Sequence, residues 1–237
     1  MSETKPSKEQ YIEELFASIA PRYDMLNSLL SFNRHKYWRS FSVRQCRLSQ
    51  GDRALDVAAG TLDFAVELTK AVGPSGEVVA VDFCRPMLDF GRQKIQRQCI
   101  ANISLIEGNA EHLPVPSNSF RAATIGFALR NVADVECTVA EMTRAVEPGG
   151  RVVCLELARP QGPVFKHVYN LYFNRILPFV GGLVSRGYES YAYLPASLRC
   201  FHTREELVRV MEKVGLADIE VHDLTGGIVA VHAGTKR

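Results

Sequence analysis

Asp56-Val57-Ala58-Ala59-Gly60-Thr61-Leu62-Asp63 sets two carboxylates around a single glycine, at the end of a β-branched run. A glycine there lets backbone approach a ligand closely, because no Cβ stands in the way. Glu77–Asp82 (EVVAVD) ends on another acid, where a carboxylate commonly accepts ribose hydroxyls, although such an acid can also be a helix cap. What is missing separates the candidate nucleotides. A dinucleotide site needs three glycines so that a pyrophosphate can sit on a helix N-terminus. Only Gly60 is present, and Asp56 and Asp63 would repel a pyrophosphate. A ligand with no phosphate and a positive end suits them better. S-adenosylmethionine has that make-up, with a ribose for Asp82, an ammonium and a sulfonium. No Walker-type phosphate loop occurs, which disfavours ATP and GTP. At Gly108-Asn109-Ala110-Glu111 an asparagine could read the edge of an adenine, or could be an ordinary turn residue.

To act together, these residues must lie at the carboxyl ends of parallel strands, where open α/β sheets bind ligands. Arg53–Ala58, Glu77–Asp82, Ile103–Glu107, Arg121–Gly126 and Arg151–Leu157 read as strands, and Asp63–Val72, Pro86–Gln98 and Val135–Glu147 as helices. This alternation predicts βαβ units and a parallel sheet covered on both faces. Pro148-Gly149-Gly150 is a stop after the last of those helices. Residues 1–8 read as a flexible tail and 9–237 as a single domain. Within it, 9–48 form an N-terminal helical cap, with Pro21 dividing two helices, and 160–200 form a helical insertion. Thr203 caps a helix running through Lys213. Ala217–Leu224 and Ile228–Gly234, around Thr225-Gly226-Gly227, are expected to close the chain as a hairpin.

With 46% hydrophobic and 23% charged residues, the composition is that of an ordinary globular protein. The 28 Lys+Arg against 26 Asp+Glu leave a charge of +2, which argues against a strongly basic nucleic-acid binder. The six cysteines form no C-x-x-C pair and no metal-like spacing with the six histidines, so free thiols of a reducing compartment are expected. The polar start, Met1 to Gln10, does not read as a secretory signal. The apolar region Leu171 to Val184 is interrupted by Asn174, Arg175 and Pro178 and falls short of the ~20 residues that span a bilayer. A cytoplasmic protein is the expectation.

Val57–Asp63 resembles the glycine-rich motif of class I S-adenosylmethionine methyltransferases. More narrowly, Phe16–Asn27 (FASIAPRYDMLN), Asn109–Phe120 (NAEHLPVPSNSF), Thr124–Val132 (TIGFALRNV), Pro148–Leu157 and Leu224–His232 (LTGGIVAVH) resemble the UbiE/MenG-type C-methyltransferases of ubiquinone and menaquinone synthesis. Tyr191–Arg199 (YAYLPASLR) fits as well. The likeness runs from about residue 11 to the C-terminus. Many methyltransferases share the glycine motif, whereas FASIAPRYDMLN and GFALRNV are much more specific. The resemblance implies a Rossmann-like, mostly parallel seven-strand sheet with an antiparallel last strand. It also implies donor contacts from Thr61, Asp82, Asn109 and Ala110, with Gly126 beside them. Two departures stand out. Leu62 replaces the usual second glycine and is expected to narrow the turn beside the methionine end. Asn33-Arg34-His35 replaces a glycine-containing linker, so the front helices are expected to be joined differently.

The implied reaction is methyl transfer to a ring carbon of a demethylmenaquinol-like, prenylated hydroquinone. The sulfonium makes the methyl electrophilic, so no metal is expected, and the protein must align sulfur, methyl and carbon. A cation near the quinol oxygen would stabilise the phenolate. Arg130 and Asn131, beyond the fourth strand, are candidates for that role. Alternatively, Arg130 pairs with a structural carboxylate and Asn131 caps the next helix. Tyr23 and Asp24, on the front helices, could reach donor or acceptor and assist deprotonation, or serve only as a lid. The insertion, with Phe165, Tyr169, Phe173 and Phe179 among Lys166 and Arg175, could rest on the inner face of the membrane, line a tail groove, pack on the sheet or form a homodimer. Other phenolic acceptors, ubiquinone-type or phylloquinone-type, remain open, as does a donor-binding scaffold without turnover.

Overall fold

The computed structural model describes residues 8–160, 197–198 and 201–237. The β-branched runs form seven strands: β1 (Arg53–Val57), β2 (Glu77–Asp82), β3 (Ile103–Glu107), β4 (Phe120–Gly126), β5 (Val146–Leu157), β6 (Leu216–Leu224) and β7 (Val229–Lys236). They make one sheet in the order β3-β2-β1-β4-β5-β7-β6. The first five run parallel, and β7 is antiparallel to both β5 and β6. The chain moves outward from β1 to β3 and then returns to place β4 on the other side of β1. The loops leaving β1 and β4 therefore diverge, and a crevice opens at their carboxyl ends.

Apolar runs on both sides of the sheet bury two cores. One gathers Trp38, Phe64, Leu68, Leu88 and Ile95 from α3 (Arg34–Gln45), α4 (Asp63–Val72) and α5 (Arg85–Arg97). The other gathers Val139, Met142, Leu207 and Met211 from α6 (Val135–Ala145) and α7 (Arg204–Lys213). Thr203 caps α7, as the sequence predicts, and together with Glu206 it forms a reciprocal capping box. α6 stops at Ala145, two residues earlier than expected, because the residue before Pro148 is pushed out of the helical region. Pro148-Gly149-Gly150 consequently lies inside β5, where a register shift opposite Phe120 and Ala122 absorbs it.

The front of the chain consists of α1 (Lys8–Ile19), a 3-10 turn at Ala20–Arg22 containing Pro21, α2 (Tyr23–Leu30) and α3. Phe32 and Asn33 join α2 to α3 with φ of 49° and 59°. Asn33 takes the left-handed conformation that a glycine linker would otherwise supply, as asparagine does more readily than most residues. α3 is tied to the far end of the chain. The Trp38 indole N–H donates to Thr225 Oγ1 at 2.8 Å, and Phe41 packs edge-on against His222 at 5.3 Å. The insertion expected at 160–200, with its aromatic surface, lies outside the described residues except for Pro160 and residues 197–198.

Leu62 does not narrow the ligand side of its turn. Its φ is +69° and its side chain is fully buried in the core, against Gly91 of α5. A Cβ at Gly91 would collide with Leu62 Cγ, so the bulky residue of the loop and the glycine of the helix are complementary. Gly91→Ala is expected to lower stability by about 1–3 kcal/mol through overpacking, less the ~1 kcal/mol that alanine adds in helix propensity. Thermal unfolding of Gly91→Ala alone and with Leu62→Ala checks this: the double variant should lose less than the sum of the singles.

Candidate active site

The loop after β1 alternates into the left-handed region at Ala58, Gly60 and Leu62, with φ of 53°, 55° and 69°. The Asp82 carboxylate at the end of β2 fixes this path. Its Oδ2 accepts the Gly60 N–H at 2.7 Å and its Oδ1 accepts the Cys84 N–H at 2.8 Å. Burial pushes the Asp82 carboxyl up to about 6, against the pull of those two N–H groups.

Two adjoining cavities open over this loop. The larger is lined by Asp82, Phe83, Asn109, Ala110 and Glu111 at one end, by Ile12, Phe16 and Tyr23 from the front helices, and by Phe127, Ala128 and Asn131 after β4. The smaller is lined by Arg39, Asp56, Thr61, Asp63 and Phe64, and shares Tyr23, Ala58, Gly60 and Gly126 with the first. The structure thus brings Asp56, Gly60, Thr61, Asp63, Asp82, Asn109, Ala110, Gly126, Tyr23 and Asn131 together around one crevice. Asn109 forms the turn itself, with Oδ1 accepting the Glu111 N–H at 2.7 Å.

Asp56 is 1% exposed. Its Oδ1 accepts the Thr124 hydroxyl at 3.2 Å, while Oδ2 is buried without a hydrogen-bond partner. Burial raises its carboxyl to about 7, opposed by the Thr124 bond, by Arg39 and by the Ala65 amide. An acidic oxygen left without a donor at a cavity wall suits a cationic ligand, and the ammonium of S-adenosylmethionine fits it. Asp63 differs: burial pushes it up, yet Arg39 and Lys94 outweigh this and its carboxyl lies below the usual range. Lys94 Nζ stands 2.6 Å from Asp63 and Arg39 Nη1 3.4 Å away.

The other candidates are arranged as follows. Tyr23 stacks edge-on against Phe16 at 6.0 Å, and burial raises its phenol above the ordinary value, so it stays protonated. The Asp24 carboxylate receives the Thr61 hydroxyl at 2.5 Å and the Lys94 ammonium at 2.6 Å, and Asp24 is absent from the described residues lining either cavity. It latches α2 onto the loop and α5. Arg130 pairs with Glu156 at 2.5 Å, with side chains 8% and 3% exposed, and also donates to the Phe127 carbonyl. A structural carboxylate for Arg130 is therefore present. α6 is capped by Asp134, whose side chain accepts the Cys137 N–H, and not by Asn131.

Glu156, Arg39 and Lys94 escaped the sequence reading. Glu156 left a signal, an acid inside the apolar run RVVCLEL, where a buried charge needs a partner. Arg39 left none, since α3 also carries Arg34, Lys36 and Arg44 and nothing local marks one of these basic residues as buried.

The sheet and its helices superpose on a solved S-adenosylmethionine-dependent methyltransferase from Aquifex aeolicus with a TM-score of 0.66. That match covers 93% of this chain and 98% of the other at 16% identity, a likeness of fold. The sequence profile of the ubiE/COQ5 methyltransferase family matches residues 4–236. The chain belongs to that family. Its relatives include a protein of Geobacillus sp. (strain WCH70) named demethylmenaquinone methyltransferase, 44% identical over 98% of this chain and 99% of the relative. A protein of the same name from Staphylococcus aureus (strain JH9) is 42% identical over 100% of this chain and 97% of its own length. The protein is a ubiE/COQ5-family, S-adenosylmethionine-dependent methyltransferase on a Rossmann-like sheet. Among the described residues no helix is long and apolar enough to cross a membrane, and no group of three or more His, Cys, Asp or Glu is placed to hold a metal ion.

Proposed function

We propose that the chain methylates a ring carbon of a prenylated quinol, demethylmenaquinol, as part of quinone biosynthesis. The donor reading is carried by the unpartnered, buried Asp56 Oδ2 at the wall of the smaller cavity. The acceptor reading is supported by the name of relatives matched over nearly their whole length. Bound S-adenosylmethionine supplies an electrophilic methyl on its sulfonium. Asp82 takes the ribose hydroxyls, Asn109 and Ala110 flank the adenine, and Asp56 takes the ammonium. Gly60, Thr61, Asp63 and Gly126 shape the wall between the nucleoside and methionine ends. The exposed Met25 and Leu29 of α2, with Phe32 just beyond it, support a peripheral contact with the membrane that holds the prenyl tail.

Tyr23 stands on the rim common to both cavities, where donor and acceptor meet. Held as a neutral phenol, it donates a hydrogen bond to the quinol oxygen as the ring gains charge. Asn131, on the facing wall, orients the quinol hydroxyl and the water that takes the released proton as the ring C–CH3 bond forms and the donor's S–CH3 bond breaks. Arg130 acts as a positioning residue: with Glu156 it holds the Phe127–Asn131 turn, and its charge reaches Tyr23. Asp24 serves the lid through Thr61 and Lys94.

The test is turnover with methyl-labelled donor and a short-tailed demethylmenaquinol, with the product read by mass spectrometry. Wild type should form the methylated quinol. Tyr23→Phe should lower kcat by roughly 100-fold, the magnitude typical of one preorganised donor, with donor affinity unchanged. Donor binding without product on any quinol would sink the acceptor reading, and full kcat in Tyr23→Phe would remove Tyr23 from the chemistry.

A further inference from the structure

We infer that Arg39 anchors the α-carboxylate of the donor's methionyl group and makes that carboxylate a requirement for tight binding. The inference rests on the donor reading above and adds a specificity residue from α3, an element outside the βαβ frame. The described walls of the smaller cavity carry two acids and one guanidinium, Asp56, Asp63 and Arg39. An amino-acid end is a zwitterion and needs one fixed charge of each sign. Asp56 offers a buried carboxyl oxygen with no hydrogen-bond partner, which an ammonium would hold in its ionised form, while Asp63 already holds Lys94 at 2.6 Å. The cation lining the same wall is Arg39, whose planar fork matches a carboxylate bidentately.

Arg39 is built into place and is not a surface side chain that swings in. It is 7% exposed, and its guanidinium lies over the Phe127 ring at 5.8 Å. Nη1 donates to His35 Nδ1 and faces Asp63 Oδ2 at 3.4 Å. Because arginine can only donate, His35 Nδ1 must be the accepting nitrogen, which leaves Nε2–H to donate to Ser28 Oγ at 3.2 Å. Burial, and then Arg39, lower the His35 imidazole to about 4, so it remains neutral and brings no second cation to compete with the guanidinium. The long contact to Asp63 and the neutral His35 orient the fork without saturating its charge. Tyr23, the remaining titratable group on this wall, is a neutral phenol.

Calorimetry on the full chain tests this with three ligands: S-adenosylhomocysteine, its decarboxylated analogue, and 5′-methylthioadenosine, which lacks the whole amino-acid end. In wild type, removing the carboxylate should weaken binding roughly 10- to 100-fold, the range for charge-assisted hydrogen bonds. Arg39→Met should weaken S-adenosylhomocysteine by the same factor, abolish the preference for the carboxylated ligand, and leave methylthioadenosine within about threefold. Arg39→Lys, which keeps charge without the fork, should fall between. Equal loss for all three ligands in Arg39→Met would mean a structural role and overturn the inference. So would equal wild-type affinity for the carboxylated and decarboxylated ligands, a comparison that needs no variant to fold. Wild type that binds none of the three would instead sink the donor reading beneath it.

Discussion

Glu156→Ala is expected to destabilise the protein by about 3–5 kcal/mol, the cost of leaving a buried charge without its partner. The carboxylate neutralises Arg130 at 2.5 Å with both side chains almost wholly removed from water. It also receives the Arg130 and Leu157 backbone N–H groups, at 3.4 and 2.8 Å. Arg130 Nε already lacks a hydrogen-bond partner, so the guanidinium has no local substitute for Glu156. Chemical unfolding should show a large fall in midpoint with the slope unchanged. Replacing the pair together, as Arg130→Met with Glu156→Leu, should restore the part of the loss that comes from the unpaired charge, because apolar groups of similar volume avoid the desolvation cost, while the Arg130 and Leu157 N–H groups still lose their Glu156 acceptor. Methyl transfer should not recover with it, since the Phe127–Asn131 turn and the field at Tyr23 depend on the charges. A loss below about 1 kcal/mol in Glu156→Ala would mean that the pair is solvated in solution.

Asp82→Ala is expected to weaken donor affinity about 100-fold, from the loss of two hydrogen bonds to a charged acceptor. Its effect on folding has opposing parts. The carboxyl sits at about 6 in the fold, above the ordinary 3.8, so folding favours its protonated form. The cost of burying the ionised carboxylate is absent below the unfolded value. It grows as pH rises and is complete above about 6, where it reaches roughly 3 kcal/mol. Alanine removes that cost but leaves the Gly60 and Cys84 N–H groups without their acceptor. The variant should therefore be close to wild type in stability at pH 7 and clearly less stable near pH 4, as thermal scans at the two pH values would show. In wild type, donor affinity should fall on acidification through about 7 and 6 as Asp56 and Asp82 take up protons. In Asp82→Ala only the step near 7 should remain. Unchanged affinity in the variant would detach Asp82 from the ribose.

The sheet was legible because β-branched runs and helical segments alternate at the spacing of βαβ units, and strand ends were displaced mainly where Pro148 constrains its neighbour. The gathering of Gly60, Asp82 and Asn109 was legible for a related reason: each stands at a strand end, and the structure brings all three to the wall of one cavity. Leu62 was misjudged because one sequence position does not reveal whether a left-handed residue points its side chain at a ligand or into the core. Gly91, far away in sequence, decides that. Arg39 and the Asp24–Thr61–Lys94 latch were illegible since they depend on how α2 and α3 dock, which no periodicity encodes. Arg130 had two readings that local sequence could not separate, and its partner lies on a different strand.

The Trp38–Thr225 hydrogen bond and the Phe41–His222 contact have a bearing on synthesis of the chain. α3 leaves the ribosome well before the residues that moor it, since Trp38 and Thr225 are 187 residues apart in the chain. A nascent chain that has completed β1 to β5 holds Asp56, Gly60 and Asp82 while α3 still lacks its C-terminal mooring. The cap becomes fully secured only once the β6–β7 hairpin has emerged, so the crevice lined by α2 and the β1 loop is completed only then.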